Sequence, residues 1–294
     1  MRWPLLLLPM LVSAADMRID HVTVAGRDLK AMDDALQRAG VRMVYGGPHA
    51  NGVTEMSLCS FPDGSYLEAI APVTGAKPAQ VQKHEWGAFL TEEAAACAWA
   101  LRSDNLDADR RRLRDAGIVA GAPVSGGRAR PDGVRLDWQT MDIGGGVRGV
   151  LYPFLIHDVT PREQRAYPTG QPTSTEFAGV ARVVIGVHDL DEAIAQYRRV
   201  FGLSAPVRQT DERFGARLAA FPGSPLVLAQ PLRGGNWIEE QIYRFGEGPC
   251  AFVLRAARPQ TAAAGATRWF GEEIRWADPR ELGWRLGFAG PVNH

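Results

Sequence analysis

Residues 18–72 form the first stretch in which hydrophobic and polar positions follow a regular pattern. From Ile19 to Ala25 the polarity alternates with a period of two, which is typical of a β-strand. Asp28 then offers an N-cap for a helix that is predicted over Leu29–Ala39 and that ends at Gly40. The remainder of the stretch predicts further strands, so the unit is predicted to be a strand, a helix and three strands.

The pattern of a strand that leads into a capped helix starts three more times along the chain. The new starts lie at residues 97–106, 181–190 and 250–255. Two of them continue into predicted helices, Leu106–Ala116 and Asp191–Phe201, and each helix is followed by a glycine. The last start matches the one at residue 97 almost residue for residue, so the second pair of units is predicted to be a duplication of the first pair.

Several short motifs occur in a fixed order within the first pair of units. In combination they resemble the glyoxalase-like group of the vicinal oxygen chelate superfamily over residues 17–158, and only the module pattern carries over to residues 176–290. The resemblance implies an α+β fold in which four βαβββ modules pair into two domains, each with a sheet curved around a cavity. The motifs are Asp20–Val22, Gly46–His49, Gly52–Thr54, Gly64–Glu68, Trp99–Arg102, Arg130–Val134 and Pro153–Phe154.

The chain is therefore predicted to hold two tandem domains. Residues 17–158 form a glyoxalase-like domain, and residues 176–294 form a second, degenerate copy. Residues 159–175 are rich in Pro, Thr, Ser, Gly and Gln and predict a linker. Residues 1–15 carry an arginine, an apolar run and small residues at the end, which predicts a secretory signal and export to the periplasm or the exterior, with no membrane attachment after cleavage.

The resemblance implies that members often hold a divalent metal ion with ligands from the first and last strands of each module. His21 occupies the first-strand position and Glu68 the fourth-strand position, and strand alternation allows both side chains to point into one cavity. His49 is the candidate for a third ligand. Two histidines and a carboxylate suit zinc, manganese or iron. The second module offers no such ligands, since Ala98 stands at the position of His21 and the predicted last strand, Val147–Tyr152, has no carboxylate.

Other residues are candidates for catalysis and for substrate contact. Glu68 and His49 are the candidate proton carriers. Each candidate also has a plainer interpretation: His21 as a hydrogen-bonded strand histidine, Glu68 as the ion-pair partner of an arginine, His49 as part of a turn, and the tryptophans as core. The candidate substrate-binding residues are Thr54, Trp99, Arg102 and Trp138.

Composition narrows the classes of partner. Lys+Arg and Asp+Glu both number 33, so no basic field is available for nucleic acid. A small-molecule ligand is expected, with no nucleotide cofactor. The three cysteines lie in apolar contexts and show no CxxC spacing, which favours buried thiols over redox chemistry.

Two functions remain open at this point. The first is an exported, metal-assisted enzyme of lyase, isomerase or dioxygenase type acting on a small oxygenated molecule. The second is a metal-free protein that binds or sequesters a small molecule with the same fold. In the second domain Arg182 and Val227 replace the two candidate ligands of the first, so the second copy is expected to be structural.

Overall fold

A computed structural model describes residues 17–258 and 266–291, and these residues contain two mixed sheets of eight strands each. The strands of the first sheet are β1 (Ile19–Ala25), β2 (Val44–Pro48), β3 (Thr54–Ser60), β4 (Tyr66–Pro72), β5 (Ala95–Arg102), β6 (Val124–Ala129), β7 (Arg135–Met141) and β8 (Phe154–Asp158). The strands of the second are β9 (Phe177–Gly186), β10 (Val207–Asp211), β11 (Ala216–Ala220), β12 (Leu226–Pro231), β13 (Gly248–Ala256), β14 (Thr267–Trp269), β15 (Glu272–Trp276) and β16 (Arg285–Ala289). The helices are α1 (Leu29–Arg38), α2 (Pro78–Lys83), α3 (Gly87–Leu90), α4 (Leu106–Asp115), α5 (Arg162–Ala166), α6 (Leu190–Phe201), α7 (Trp237–Phe245) and α8 (Pro279–Leu282).

Both sheets have the same strand order. In the first it is β2-β3-β4-β1-β5-β8-β7-β6, and the second repeats it strand for strand from β10 to β14. The central strands β1 and β5 are antiparallel to each other, and each is parallel to the last strand of its own module. The predicted α+β fold of four paired modules in two tandem domains is therefore confirmed.

Polar residues cap the three long helices that the sequence predicted. Asp28 accepts a hydrogen bond from the Ala31 amide at 3.0 Å, and Asn105 accepts one from the Ala108 amide at 2.9 Å. Asp189 caps α6 in the same way by accepting from two amides. These caps satisfy helix N–H groups that have no partner within the helix.

One predicted strand is wrong. The apolar residues Val147–Tyr152 do not form a strand, and the last strand of the module is β8, which begins at Phe154. Gly149 adopts a positive φ of 71°, a conformation that interrupts an extended chain. The position that matches Glu68 in the second module must therefore be sought on β8.

The two domains pack through the convex faces of their sheets. Strand β5 lies against β13, and β1 and β4 lie against β9. One hydrophobic core contains residues of both domains, including Trp99 from the first and Phe252 from the second, both fully buried. Because the domains share this core, neither buries its convex face without the other.

The concave faces of the two sheets differ. In the second domain four aromatic rings pack over the face that carries Val227, with Phe214 at 4.7 to 5.0 Å from the three tryptophan rings around it. In the first domain the corresponding face carries polar residues and surrounds a cavity. The aromatic side chains are Phe214, Trp237, Trp269 and Trp276.

Within residues 17–258 and 266–291, no helix is long and apolar enough to cross a membrane. The predicted secretory signal, residues 1–15, lies outside the described residues. The segment predicted as a linker contains the short helix α5, whose Arg165 is buried against the first domain.

Candidate active site

The concave face of the first sheet encloses a cavity of about 350 Å³. The edge strands β2 and β6 approach each other, and Arg128 on β6 donates a hydrogen bond to the Gly46 carbonyl on β2. The segment from α2 to α3 covers part of the opening, where the Trp86 indole donates to the Arg148 carbonyl at 2.9 Å. The curved sheet and this segment together form a partly enclosed site of the size that small ligands occupy.

Three side chains with metal-binding or proton-transfer chemistry meet in this cavity. His21 Nε2 lies 3.9 Å from Glu68 Oε2, and His49 Nε2 lies 3.7 Å from Glu68 Oε1. Parallel pairing of β1 with β4 places Thr23 opposite Glu68, and the Thr23 hydroxyl donates to Glu68 Oε2 at 3.0 Å. The Thr23 hydroxyl on the neighbouring strand thus orients the Glu68 carboxylate. Each of the two carboxylate oxygens faces Nε2 of one histidine.

Asp20 fixes the ring of His21 through a β-bulge. Between Ile19 and His21 the register against β5 shifts, so Asp20 is an extra residue on β1. Its side chain therefore reaches the ring of the next residue, and Asp20 Oδ1 lies 2.6 Å from His21 Nδ1. An ionised carboxylate only accepts hydrogen bonds, so Nδ1 carries a proton. Nε2 is the nitrogen that faces Glu68, with a proton when the ring is charged and with a lone pair once that proton is released.

Asp20 is ionised because two arginines surround it. Arg165 Nη2 lies 2.7 Å from Asp20 Oδ2, and Arg162 forms a second ion pair with the same oxygen. Burial alone would raise the pKa of Asp20, but the charges of Arg165 and Arg162 and the contact with His21 hold it well below its usual range. Both arginines belong to the segment that the sequence predicted as a linker.

A loop fixes His49 in a comparable way. His49 Nδ1 lies 2.9 Å from Thr54 Oγ1, and the Thr54 hydroxyl in turn donates to Asn51 Oδ1 at 3.3 Å. Asn51 Oδ1 also accepts the Val53 amide at 2.9 Å, which holds the turn. With Thr54 accepting from Nδ1, the free nitrogen of His49 is again Nε2, directed at Glu68.

The pKa of Glu68 reflects these neighbours. Burial by itself would raise it, yet the approach of His49, the charge of a protonated His21 or His49, and the Thr23 hydroxyl lower it to about 2. Glu68 is therefore ionised at neutral pH. A carboxylate this acidic is a weak base, so the residue suits the binding of a cation better than the uptake of a substrate proton.

The second module contributes hydrophobic residues to the cavity. Phe154 on β8 lines it and meets the ring of His21 edge-on with 5.4 Å between centroids. Ala98 and Ala100 on β5 belong to the hydrophobic cluster beside it. The strands that the resemblance implies as the source of two further ligands thus provide no nitrogen or oxygen side chain at these positions.

The donor types and pairwise distances fit a divalent ion. A metal ion lies 2.0–2.2 Å from a histidine nitrogen or a carboxylate oxygen. The separations of 3.7 and 3.9 Å are shorter than twice that distance, so one ion could contact both atoms of either pair. As the side chains lie, no group of three or more His, Cys, Asp or Glu in the described ranges is assembled closely enough to hold an ion.

The candidate substrate-binding residues divide into two pairs. Trp138 lines the cavity, and Thr54 holds His49 beside it. Trp99 lies elsewhere, because strand alternation directs it into the core between the domains, while Ala98 and Ala100 point into the hydrophobic cluster beside the cavity. Arg102 also lies elsewhere, since its guanidinium donates to the Asp63 carbonyl at 2.8 Å.

Several residues around the site were not predicted from the sequence. Asp20 is adjacent to His21, but alternation would direct the two to opposite faces, and the bulge has no sequence signal. Arg165 is distant in sequence and lies in a segment without periodicity. Three residues between α2 and α3 also line the cavity, namely His84, Glu85 and Trp86.

Comparison with known proteins agrees with this architecture. The family model described as "Glyoxalase-like domain" matches residues 19–201. No curated protein matches the sequence.

Among the solved structures that match, two extend over nearly the whole chain and share its fold at low sequence identity. A hypothetical protein from Staphylococcus aureus is 13% identical, with a TM-score of 0.63 over 93% of this chain and 99% of that one. A mutant of 4-hydroxymandelate synthase from Streptomyces coelicolor is 11% identical, with a TM-score of 0.59 over 95% of this chain and 94% of that one. Methylmalonyl-CoA epimerase from Mycobacterium tuberculosis is 22% identical over 42% of this chain and 94% of its own, with a TM-score of 0.35.

Proposed function

The chain belongs to the glyoxalase-like domain family, and from this premise we propose that its first domain is a metal-assisted enzyme acting on a small oxygenated molecule. One observation carries the proposal. His21 and His49 both present Nε2 to the ionised Glu68 while a neighbour fixes Nδ1 of each ring. Partners on the far nitrogen of a metal-binding histidine orient the ring in this manner.

The residues that would hold the ion are His21, His49 and Glu68. When bound, a divalent ion supplies a Lewis acid that stabilises negative charge on a substrate oxygen. Asp20 and Thr54 keep the two imidazoles in the tautomer that a ligand requires, and Thr23 keeps the carboxylate turned toward them. A site that stabilises such an anion is compatible with a lyase, an isomerase or a dioxygenase reaction.

The apolar walls of the cavity limit the access of water to the reacting atoms. Phe154 meets the ring of His21 edge-on, and Tyr66 stacks on the same ring with 4.8 Å between ring centroids. Trp86, on the covering segment, lies over the same cavity. Charge interactions strengthen where water is excluded, which favours stabilisation of an anionic intermediate.

Elemental analysis tests the proposal directly. We expect close to one transition-metal ion per chain in protein purified without chelator and reconstituted with zinc, manganese or iron. His21→Ala and His49→Ala should each lose most of that ion. His157→Ala is the matched control, because His157 is a strand histidine that contacts the Ser103 carbonyl at 2.9 Å outside the cavity. A wild-type protein without stoichiometric metal after reconstitution would refute the proposal.

A metal-free binding protein is the second candidate. It is favoured by the apolar contribution of the second module and by the lack, among the described residues, of an assembled group of three ligands. In that case the cavity would retain a small molecule whether or not metal is present. Ligand binding that is unchanged in His21→Ala would support this second function.

A further inference from the structure

Arg128 is almost fully buried at the wall of the cavity. It lies on the edge strand β6, is 4% exposed and lines the cavity together with Glu68 and Trp138. Among the residues that the structure describes, the one hydrogen bond of its guanidinium is from Nη1 to the Gly46 carbonyl. A guanidinium has five N–H donors, so most of its capacity is unused.

The other two arginines of the cavity have carboxylate partners. Arg165 pairs with Asp20 at 2.7 Å, and Arg148 pairs with Asp142 at 2.8 Å. Within the described ranges Arg128 forms no ion pair closer than 4.0 Å, and the charge of Glu68 acts on it only from farther away. Burial lowers the pKa of Arg128, but an arginine remains a cation in proteins. A buried cation without a contacting carboxylate is costly, and a bound anion reduces that cost.

The surroundings of Arg128 favour an organic anion. Trp138, Tyr66 and Phe154 give the cavity aromatic walls. Planar carboxylates bind a guanidinium with two parallel hydrogen bonds, and the aromatic rings offer an apolar surface to the rest of the ligand.

We propose that the substrate carries a carboxylate or a similar planar anionic group, which Arg128 binds while the reacting end of the molecule lies toward Glu68. This inference rests on the proposed function only in taking the cavity of the first domain as the substrate site. Arg128 is then a specificity-determining residue that selects anions over neutral analogues.

A purely structural role for Arg128 makes a different prediction. Its bond to the Gly46 carbonyl joins the two edge strands, so substitution could affect the closure of the sheet alone. In that case loss of the side chain would lower stability and weaken charged and neutral ligands equally. A pair of probes that differ only in charge separates the two roles.

The experiment compares carboxylates with their amides by isothermal titration of the full chain as purified. The pairs are formate and formamide, benzoate and benzamide, and 1-naphthoate and 1-naphthamide. We expect at least one carboxylate to bind about tenfold or more tightly than its amide, as a charge-assisted hydrogen bond provides. Arg128→Met should abolish that preference and Arg128→Lys should retain part of it. Arg135→Met is the control, since it removes an exposed arginine from the neighbouring strand.

The outcomes distinguish this inference from the proposed function. If no pair shows a preference for the carboxylate in the wild type, or if the preference survives in Arg128→Met, the inference is overturned. Metal content is measured on the same samples. A preference that depends on Arg128, in protein that takes up no stoichiometric metal even after reconstitution, would support the anion site and refute the metal enzyme. Full metal content with a preference independent of Arg128 would do the reverse. If Arg128→Met does not fold, the Arg128→Lys variant takes its place. A reduced preference for the carboxylate in Arg128→Lys, with a benzoate affinity that falls as salt is added, would support the inference, and an unchanged preference would overturn it.

Discussion

Replacement of Glu68 by glutamine should change how the stability of the protein depends on pH. The pKa of this carboxyl is about 2 in the folded protein and 4.5 as the reference for the unfolded chain. A lowered folded-state pKa contributes stability that is fully present above the unfolded value and is lost as the pH falls toward the folded value. Glu68→Gln removes the titrating group and with it this part of the pH dependence.

The magnitude follows from the two pKa values. Their difference of about 2.5 corresponds to roughly 3 kcal/mol at neutral pH. Between pH 6 and pH 3.5 about 1.5 kcal/mol of this contribution is lost. The free energy of unfolding of the wild type should therefore fall by about 1.5 kcal/mol more than that of Glu68→Gln over this interval.

Urea unfolding at the two pH values, in the presence of a chelator, measures the difference. One hydrophobic core contains residues of both domains, so we expect a single transition. Glu85→Gln is the control from the same cavity. Burial raises the pKa of Glu85, so its removal should alter the pH dependence in the opposite direction. Identical slopes for the wild type and Glu68→Gln would refute the argument that the two histidines hold Glu68 ionised.

Two further predictions concern buried groups. Arg165→Met should lower the free energy of unfolding by about 3–5 kcal/mol, because it leaves the buried Asp20 with one arginine fewer. In a denaturation experiment the added substitution Asp20→Asn should restore part of this loss. If stability did not recover, the ion-pair explanation would be contradicted. The three cysteine thiols should not react with Ellman's reagent in the native protein and should react completely in guanidinium chloride, since all of them are buried. Burial also raises the pKa of each thiol, to about 12 for Cys59 and Cys250. Fast reaction of any one without denaturant would be inconsistent with its burial. The thiols are Cys59, Cys97 and Cys250.

The pattern of the sequence predicted the modules well because their signals are local. A strand alternates every two residues and a helix begins at a polar cap, so the caps at Asp28, Asn105 and Asp189 located three helices. The failure at Val147–Tyr152 came from an apolar segment whose turns are determined by glycine. Apolar character alone did not distinguish a strand from a buried loop.

The site was predictable only in part. Alternation placed His21 and Glu68 on one face, and the structure brings their side chains to 3.9 Å. Asp20 was missed because a bulge redirects its side chain, and register is a property of two strands together. Arg165 was missed because its contact with Asp20 joins positions far apart in the sequence. Trp99 was assigned to substrate although its face of β5 packs against the second domain.

The position of α5 affects how this protein can be divided. The first sheet ends at Asp158, but the ion pairs that surround Asp20 end at Arg165. A recombination or a protease cut between Asp158 and Arg162 would keep every strand of the first domain and separate from it both arginines that neutralise its buried aspartate. The segment that carries the complete site therefore extends at least to Ala166. An exchange of second domains in evolution would preserve the site only if the crossover lay beyond that residue.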